Sequence, residues 1–170
     1  MAVPVLTGFS QKVVVGVADF AVSNNPDVIL TTYSLGSCLG VTLYDPVARV
    51  GGLLHLMLPD SEIDRAKAAE NPAMFVDTGI PALFRAAYEL HADKYRVEVC
   101  VAGGAQIMDN SHFFNIGRRN WEALNVLFAQ HGLKVRASDV GGLVNRTMNL
   151  NLETGEVTLK ISGKPGETPL

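Results

Sequence analysis

The chain reads as a single-domain α/β protein with mixed sheets and its helices massed on one side. Three observations predict this. Strand-like runs fall before, between and after two helical stripes, in the order strands, helix, strand, helix, strands. Turn residues at Asp45-Pro46 and at Glu153-Thr154-Gly155-Glu156 each join two apolar runs, as in β-hairpins. The 170 residues are 48% hydrophobic and 18% charged, enough apolar mass for a core and too little charge for a disordered chain.

Residues 1–10 are expected to form a loose arm with one or two apolar anchors. Residues 12–17 carry a β-branched run, and 27–32 a second, Val28-Ile29-Leu30-Thr31-Thr32. The hairpin of 38–58 follows. Residues 59–72 hold Asp60, Glu62, Asp64, Arg65, Lys67 and Glu70 and read as a surface loop with a helical turn at 66–69, long enough to be a flap. Ile80, Leu83, Phe84, Ala87 and Tyr88 recur at helical spacing and predict a helix over 74–91. Pro81 must sit near its first turns, and Asp77 or Thr78 offers an N-cap. Strand 96–102 ends in Gly103-Gly104. A second helix over 117–131 shows Trp121, Leu124, Leu127 and Phe128 as its stripe, closed by His131 and Gly132. Strand 134–139 runs into Gly141-Gly142, and the last hairpin pairs 145–152 with 156–162. The tail from Ser162, with Gly163, Lys164, Pro165 and Gly166, is expected to be flexible.

Several function classes drop out. A formal net charge of −3 argues against nonspecific nucleic-acid binding. No apolar run reaches the ~18 residues of a membrane span. The N-terminus, Met1-Ala2-Val3-Pro4-Val5, lacks the pattern of a signal peptide, so the cytoplasm is the expected compartment. Two cysteines make no disulfide scaffold, and no CxxC or HExxH suggests zinc. The glycine pairs at 51–52, 103–104 and 141–142 match no phosphate-binding pattern and suit close backbone approach. Asp139 and Arg146 suit an ion pair supporting a loop. Cys100, inside an apolar strand, reads as a structural thiol.

The first hairpin carries the chemistry. Cys38 opens one arm, and His55 is the single polar side chain in Leu53-Leu54-His55-Leu56-Met57-Leu58. If Asp45 faces Ala48 across a two-residue loop, Cys38 faces His55 on the same side of the sheet. A thiol beside an imidazole is a minimal activated nucleophile. The competing reading is a small buried thiol and a hydrogen-bonded core histidine. A longer loop would shift the register.

Thr32-Tyr33-Ser34-Leu35-Gly36-Ser37-Cys38, Leu43-Tyr44-Asp45-Pro46, residues 51–59, Asp77 with Ile80-Pro81, Gly103-Gly104-Ala105, Ile116-Gly117 with Arg119-Asn120, and Asp139-Val140-Gly141-Gly142 with Arg146 occur in a specific order. Together they resemble the chemoreceptor glutamine deamidases of the CheD family, over about residues 13–159. That family's pattern sets a threonine six residues before a cysteine and a histidine seventeen after it, and Thr32, Cys38 and His55 match both spacings. The chain departs where the family usually has Leu-Gly, here Tyr33-Ser34, and at Gln106, where a small residue is common.

The resemblance implies a three-layer α/β/β sandwich and a cysteine-dependent protein-glutamine glutaminase. Its substrates would be chemoreceptors, the methyl-accepting chemotaxis proteins. Cys38 would attack a glutamine amide, His55 would shuttle the proton, and Thr32 would orient the imidazole. Hydrolysis of glutamyl methyl esters is within the same acyl chemistry. No cofactor or metal is implied. A CheC-type phosphatase is an implied partner, and the alternative reading is a non-catalytic regulatory module that binds it. Six residues of straight strand would part Thr32 from Cys38 by ~20 Å. The chain must therefore bend within residues 34–37, and Gly36 is expected to supply the bend.

Overall fold

The computed structural model describes residues 9–107 and 115–170. The expected N-terminal arm lies mostly outside them, as does the stretch read for a signal peptide. Among the described residues, two five-stranded mixed sheets stack face to face, and helices cover the outer face of one.

The first sheet takes β1 (Gln11–Val14), β3 (Val28–Leu35), β8 (Arg146–Asn151), β9 (Val157–Ile161) and β10 (Thr168–Pro169), in that order. The second takes β2 (Asp19–Ser23), β5 (Val50–Leu56), β4 (Leu39–Asp45), β6 (Glu98–Gly103) and β7 (Val135–Val140). β1 runs parallel to β3 and β6 to β7, while the other neighbours are antiparallel. The expected three-layer α/β/β arrangement is therefore present.

β4 and β5 are buried along their whole length, because they lie at the centre of the middle layer. Leu39, Val41, Leu43, Leu54 and Leu56 pack toward the helices α2 (Val76–Glu89) and α3 (Ile116–His131), against Ile80, Leu83, Phe84, Leu124 and Phe128. Alternate residues face the other sheet. There Tyr44 and Leu53 meet Leu30, Leu35, Met148, Leu150 and Leu159. This period-two division of the apolar residues makes two cores from one hairpin.

The charged stretch after Leu58 is more ordered than a loop. A 3₁₀ turn at Ser61–Ile63, the short helix α1 (Arg65–Glu70) and a second 3₁₀ turn at Pro72–Met74 are started by the side chains of Asp60, Asp64 and Asn71. The cap expected of Asp77 or Thr78 is absent. α2 starts after Phe75 without a side-chain cap, Asp77 accepts from Ser61 N–H, and Thr78 donates to the Pro72 carbonyl. Gly132 closes α3 in the left-handed conformation, as His131-Gly132 predicts.

Two features were not foreseen. β2 has a weak strand pattern and exists because the edge of β5 is open to pair with it. The tail, expected to be flexible, returns to an edge of the first sheet. Thr168 and Pro169 pair with Leu159 and Thr158, and Leu170 N–H donates to the Val157 carbonyl at 2.9 Å. The free hydrogen-bonding edge of β9 gives this polar segment a partner that its composition does not reveal.

Candidate active site

Cys38 stands one residue before β4, on the segment that carries the chain from one sheet to the other. Its half-buried side chain packs against the core between the sheets. His55, 1% exposed, lies on β5 opposite Gly40 of β4 and Asp19 of β2. The hairpin register differs from the expected one. Asp45 pairs with Val50, not Ala48, so His55 faces Gly40 and stands diagonal to Cys38. The cause is Asp45, which is fully buried. Its carboxylate accepts from the backbone N–H groups of Val47, Ala48 and Asp93 and from Arg96, holding a four-residue loop open. Burial pushes that carboxyl up, but Arg96 and the backbone donors override it and hold its pKa at about 2. The shift is by two residues, so parity survives and Cys38 and His55 keep the same face.

The bend between Thr32 and Cys38 also differs. Gly36 has no left-handed backbone; Ser34 does, at φ 58°. The β3–β8 register slips there, between Thr32 and Leu35. Ser34 is the position at which the resembled family carries glycine, so this chain places an L side chain where the backbone favours none. The slip bends β3, which rejoins β8 at Leu35–Arg146 before the chain leaves the sheet. Beyond it, Gly36 and Cys38 carbonyls accept from Ala105 and Gly104 N–H, each at 2.8 Å.

Thr32 reaches His55 from the facing sheet. Its Oγ1 lies 2.7 Å from His55 Nδ1 and donates to the Val15 carbonyl at 2.8 Å. A hydroxyl has one proton. Because Thr32 spends it on Val15, it must accept from His55, so Nδ1 carries the ring proton. Nε2 is then the lone pair, and it has no hydrogen-bond partner among the described residues. Thr31 points to the other face and donates to Asn149 Oδ1 at 2.8 Å. Burial lowers the His55 pKa to about 4 and raises that of the Cys38 thiol. At neutral pH Cys38 is therefore a thiol and His55 a neutral imidazole.

A cavity of about 510 Å³ opens beside Cys38, lined by Ser34, Gly36, Ser37, Gln106 and Asn145 among others. Next to the lining residue Asn145, Arg146 is 4% exposed and bonds Asp139 at 2.7 Å and the Gly141 carbonyl at 2.9 Å. The predicted Asp139–Arg146 pair thus forms and ties down the Gly141-Gly142 loop. Cys100 is buried against Arg136 Nη2, at 3.1 Å, and takes no part in the site.

One polar group escaped the functional reading. Asn120 is fully buried in α3, on the stripe Gly117, Asn120, Leu124, Phe128. A polar residue on a buried stripe needs a partner, and that signal was available. Its Nδ2 donates to the carbonyls of Ser37 at 3.1 Å and Met57 at 2.9 Å.

Comparison with known proteins identifies the family. Residues 57–161 match the family model described as CheD chemotactic sensory transduction. The chain is 50% identical to a protein of Syntrophus aciditrophicus named "Probable chemoreceptor glutamine deamidase CheD 1", over 90% of this chain and 96% of that one. The chain belongs to the CheD family. Two further relatives carry the name "Probable chemoreceptor glutamine deamidase CheD". The CheD protein of Solibacter usitatus is 44% identical over 92% of this chain and 93% of its own. That of Pyrococcus horikoshii is 41% identical over 88% and 92%. A solved Neisseria meningitidis structure of the DUF152 family model overlaps 76% of this CheD chain and 62% of its own at 9% identity, with a TM-score of 0.40. Among the described residues no helix is long and apolar enough to cross a membrane.

Proposed function

We propose that this chain is a protein-glutamine deamidase acting on chemoreceptors in chemotaxis, with Cys38, His55 and Thr32 as its working groups. The family and the names of its relatives support the reaction class. The observation that carries the residue assignment is the chain of hydrogen bonds from His55 to Thr32 to Val15, which leaves His55 Nε2 as a buried base with no partner among the described residues.

Substrate enters the cavity with its side-chain amide against Cys38. Nε2 takes the thiol proton as Sγ bonds to the amide carbon, giving a tetrahedral oxyanion. The imidazolium then gives that proton to the departing nitrogen, ammonia leaves, and a thioester remains. Water attacks the thioester, His55 accepts its proton, and the C–S bond breaks to release glutamate and restore the thiol. Thr32 accepts from Nδ1–H throughout and keeps the ring in one tautomer, although a neutral hydroxyl stabilises imidazolium less than a carboxylate would. The same sequence of steps cleaves a glutamyl methyl ester, with methanol leaving in place of ammonia.

Because burial raises the Cys38 thiol and lowers His55, the resting pair is uncharged. Thiolate forms as the proton moves during attack and is not stored beforehand. Alkylation of the free protein should therefore accelerate toward alkaline pH, unlike that of a stored thiolate–imidazolium pair. The direct test is mass spectrometry of chemoreceptor fragments incubated with the protein. Wild type should add ~1 Da at specific glutamines, the mass change of amide-to-acid conversion through an acyl-enzyme, and Cys38→Ala should add none. Equal conversion by Cys38→Ala would remove Cys38 from the mechanism.

A further inference from the structure

We infer that Asn120 is a positioning residue for this site, clamping the Ser37–Cys38 peptide so that the Cys38 N–H faces the reacting carbon and serves as an oxyanion donor. The inference rests on the deamidase reading and adds a residue to it.

The geometry starts from one side-chain amide. Asn120 Nδ2 donates to both the Ser37 and Met57 carbonyls. The amide cannot be turned over, because Oδ1 would then face two carbonyl oxygens and no donor. Ser37 immediately precedes the nucleophile, and Met57 lies two residues beyond His55. A single group in the helix layer thus fixes the start of β4 against the end of β5, the two strands that present Cys38 and His55. Asn120 Oδ1 is buried without a partner among the described residues. An apolar side chain could fill the same volume without that desolvation cost, so the donors are what the position uses.

The peptide between Ser37 and Cys38 is trans, as are the others described. In a trans peptide the C=O and N–H point in opposite directions. With the Ser37 carbonyl held toward α3, the Cys38 N–H must point away from the helix layer, toward the side where the thiol lies. The Cys38 N–H also lies close enough to its own thiol to oppose the burial that raises the thiol's pKa. When Sγ bonds to an amide carbon, the developing oxygen charge lies one bond from that carbon and within reach of this N–H. If the peptide turned over, the Ser37 carbonyl would occupy the donor's place and repel the oxyanion. Asn120 opposes that flip.

The test pairs acyl transfer with a reaction that builds no oxyanion. Asn120→Asp keeps the shape but offers no N–H, and Asn120→Ala removes the group without burying a charge. Each should lower kcat for receptor deamidation by roughly 100- to 1000-fold, the range for loss of an oxyanion donor. KM should change less than about threefold, since ground-state binding is untouched. Alkylation of Cys38 by iodoacetamide at alkaline pH should stay within about twofold of wild type, because that displacement needs a thiolate and no oxyanion hole. A kcat near wild type in a cooperatively melting variant overturns the inference. So does alkylation that falls in step with kcat, or failure of both variants to fold, since either makes Asn120 a general fold residue. Failure of the deamidase reading looks different: wild type itself then converts no glutamine, or Cys38→Ala converts as much as wild type.

Discussion

Gly103 presses against Cys38 so closely that a Cβ built on it would lie 2.2 Å from the Cys38 carbonyl oxygen. Gly103 also has φ 112°, a conformation that other residues rarely adopt. The glycine pair at the end of β6 is thus the backing plate of the Cys38 segment. Gly103→Ala should lower stability by about 2–4 kcal/mol, from backbone strain and overpacking together. Because the clash falls on Cys38, ammonia release should drop as well. Urea unfolding and a deamidation assay measure both. An alanine variant as stable and active as wild type would show that the contact does not matter.

Thr32→Val keeps the shape of the side chain but leaves His55 Nδ1–H without its acceptor. An unpaired buried donor costs about 1–3 kcal/mol, and the ring becomes free to place its proton on Nε2, the wrong nitrogen for a base. Deamidation should fall at least tenfold, whereas Thr32→Ser, which retains the hydroxyl, should recover most of it. Equal activity in the valine and serine variants would separate Thr32 from the tautomer.

His55 should make the protein acid-sensitive. Its folded pKa, about 4, lies below the 6.5 of an exposed histidine, because burial penalises the charged ring. Above pH 6.5 both folded and unfolded states hold it neutral, and the full stability is present. As pH falls below 6.5 the unfolded chain gains a proton that the folded one does not. The loss grows until about pH 4, where the folded ring titrates too, and reaches about 3 kcal/mol. His55→Gln should flatten this part of the stability–pH curve in urea titrations. A wild-type slope unchanged by the substitution would refute the assignment.

Ser34→Gly should stabilise the protein. The left-handed backbone at φ 58° costs a serine about 1–2 kcal/mol, while glycine adds about 0.5–1 kcal/mol of unfolded-chain entropy. The net gain should be about 0.5–1 kcal/mol, visible as a raised Tm. A lowered Tm would mean that the serine side chain contributes more than its strain.

Much of the site was legible because it depends on short-range pattern. A lone histidine in an apolar run needs a partner, and the parity of a hairpin puts Cys38 and His55 on one face whether the loop has two residues or four. The observed register lies two residues from that of a two-residue loop, because the buried Asp45 carboxylate, held by Arg96 from the segment before β6, selects the longer loop. Residue preference points to Gly36 for the bend, whereas the slip against β8 puts it at Ser34. Asn120 carried a sequence signal, a polar residue on a buried stripe, but its two partners lie 83 and 63 residues away in the chain.

The sequence alone determined the alternation of strand groups with two main helices, the α/β class, and the presence of a thiol and an imidazole on one side of one hairpin. These follow from periodicity, which acts over a few residues. Tertiary structure decided which nitrogen of His55 holds the proton, where β2 and the tail attach, and which carbonyl Asn120 restrains. Each of these is a hydrogen bond between segments distant in sequence, and only the packing of the layers brings the donor to its acceptor.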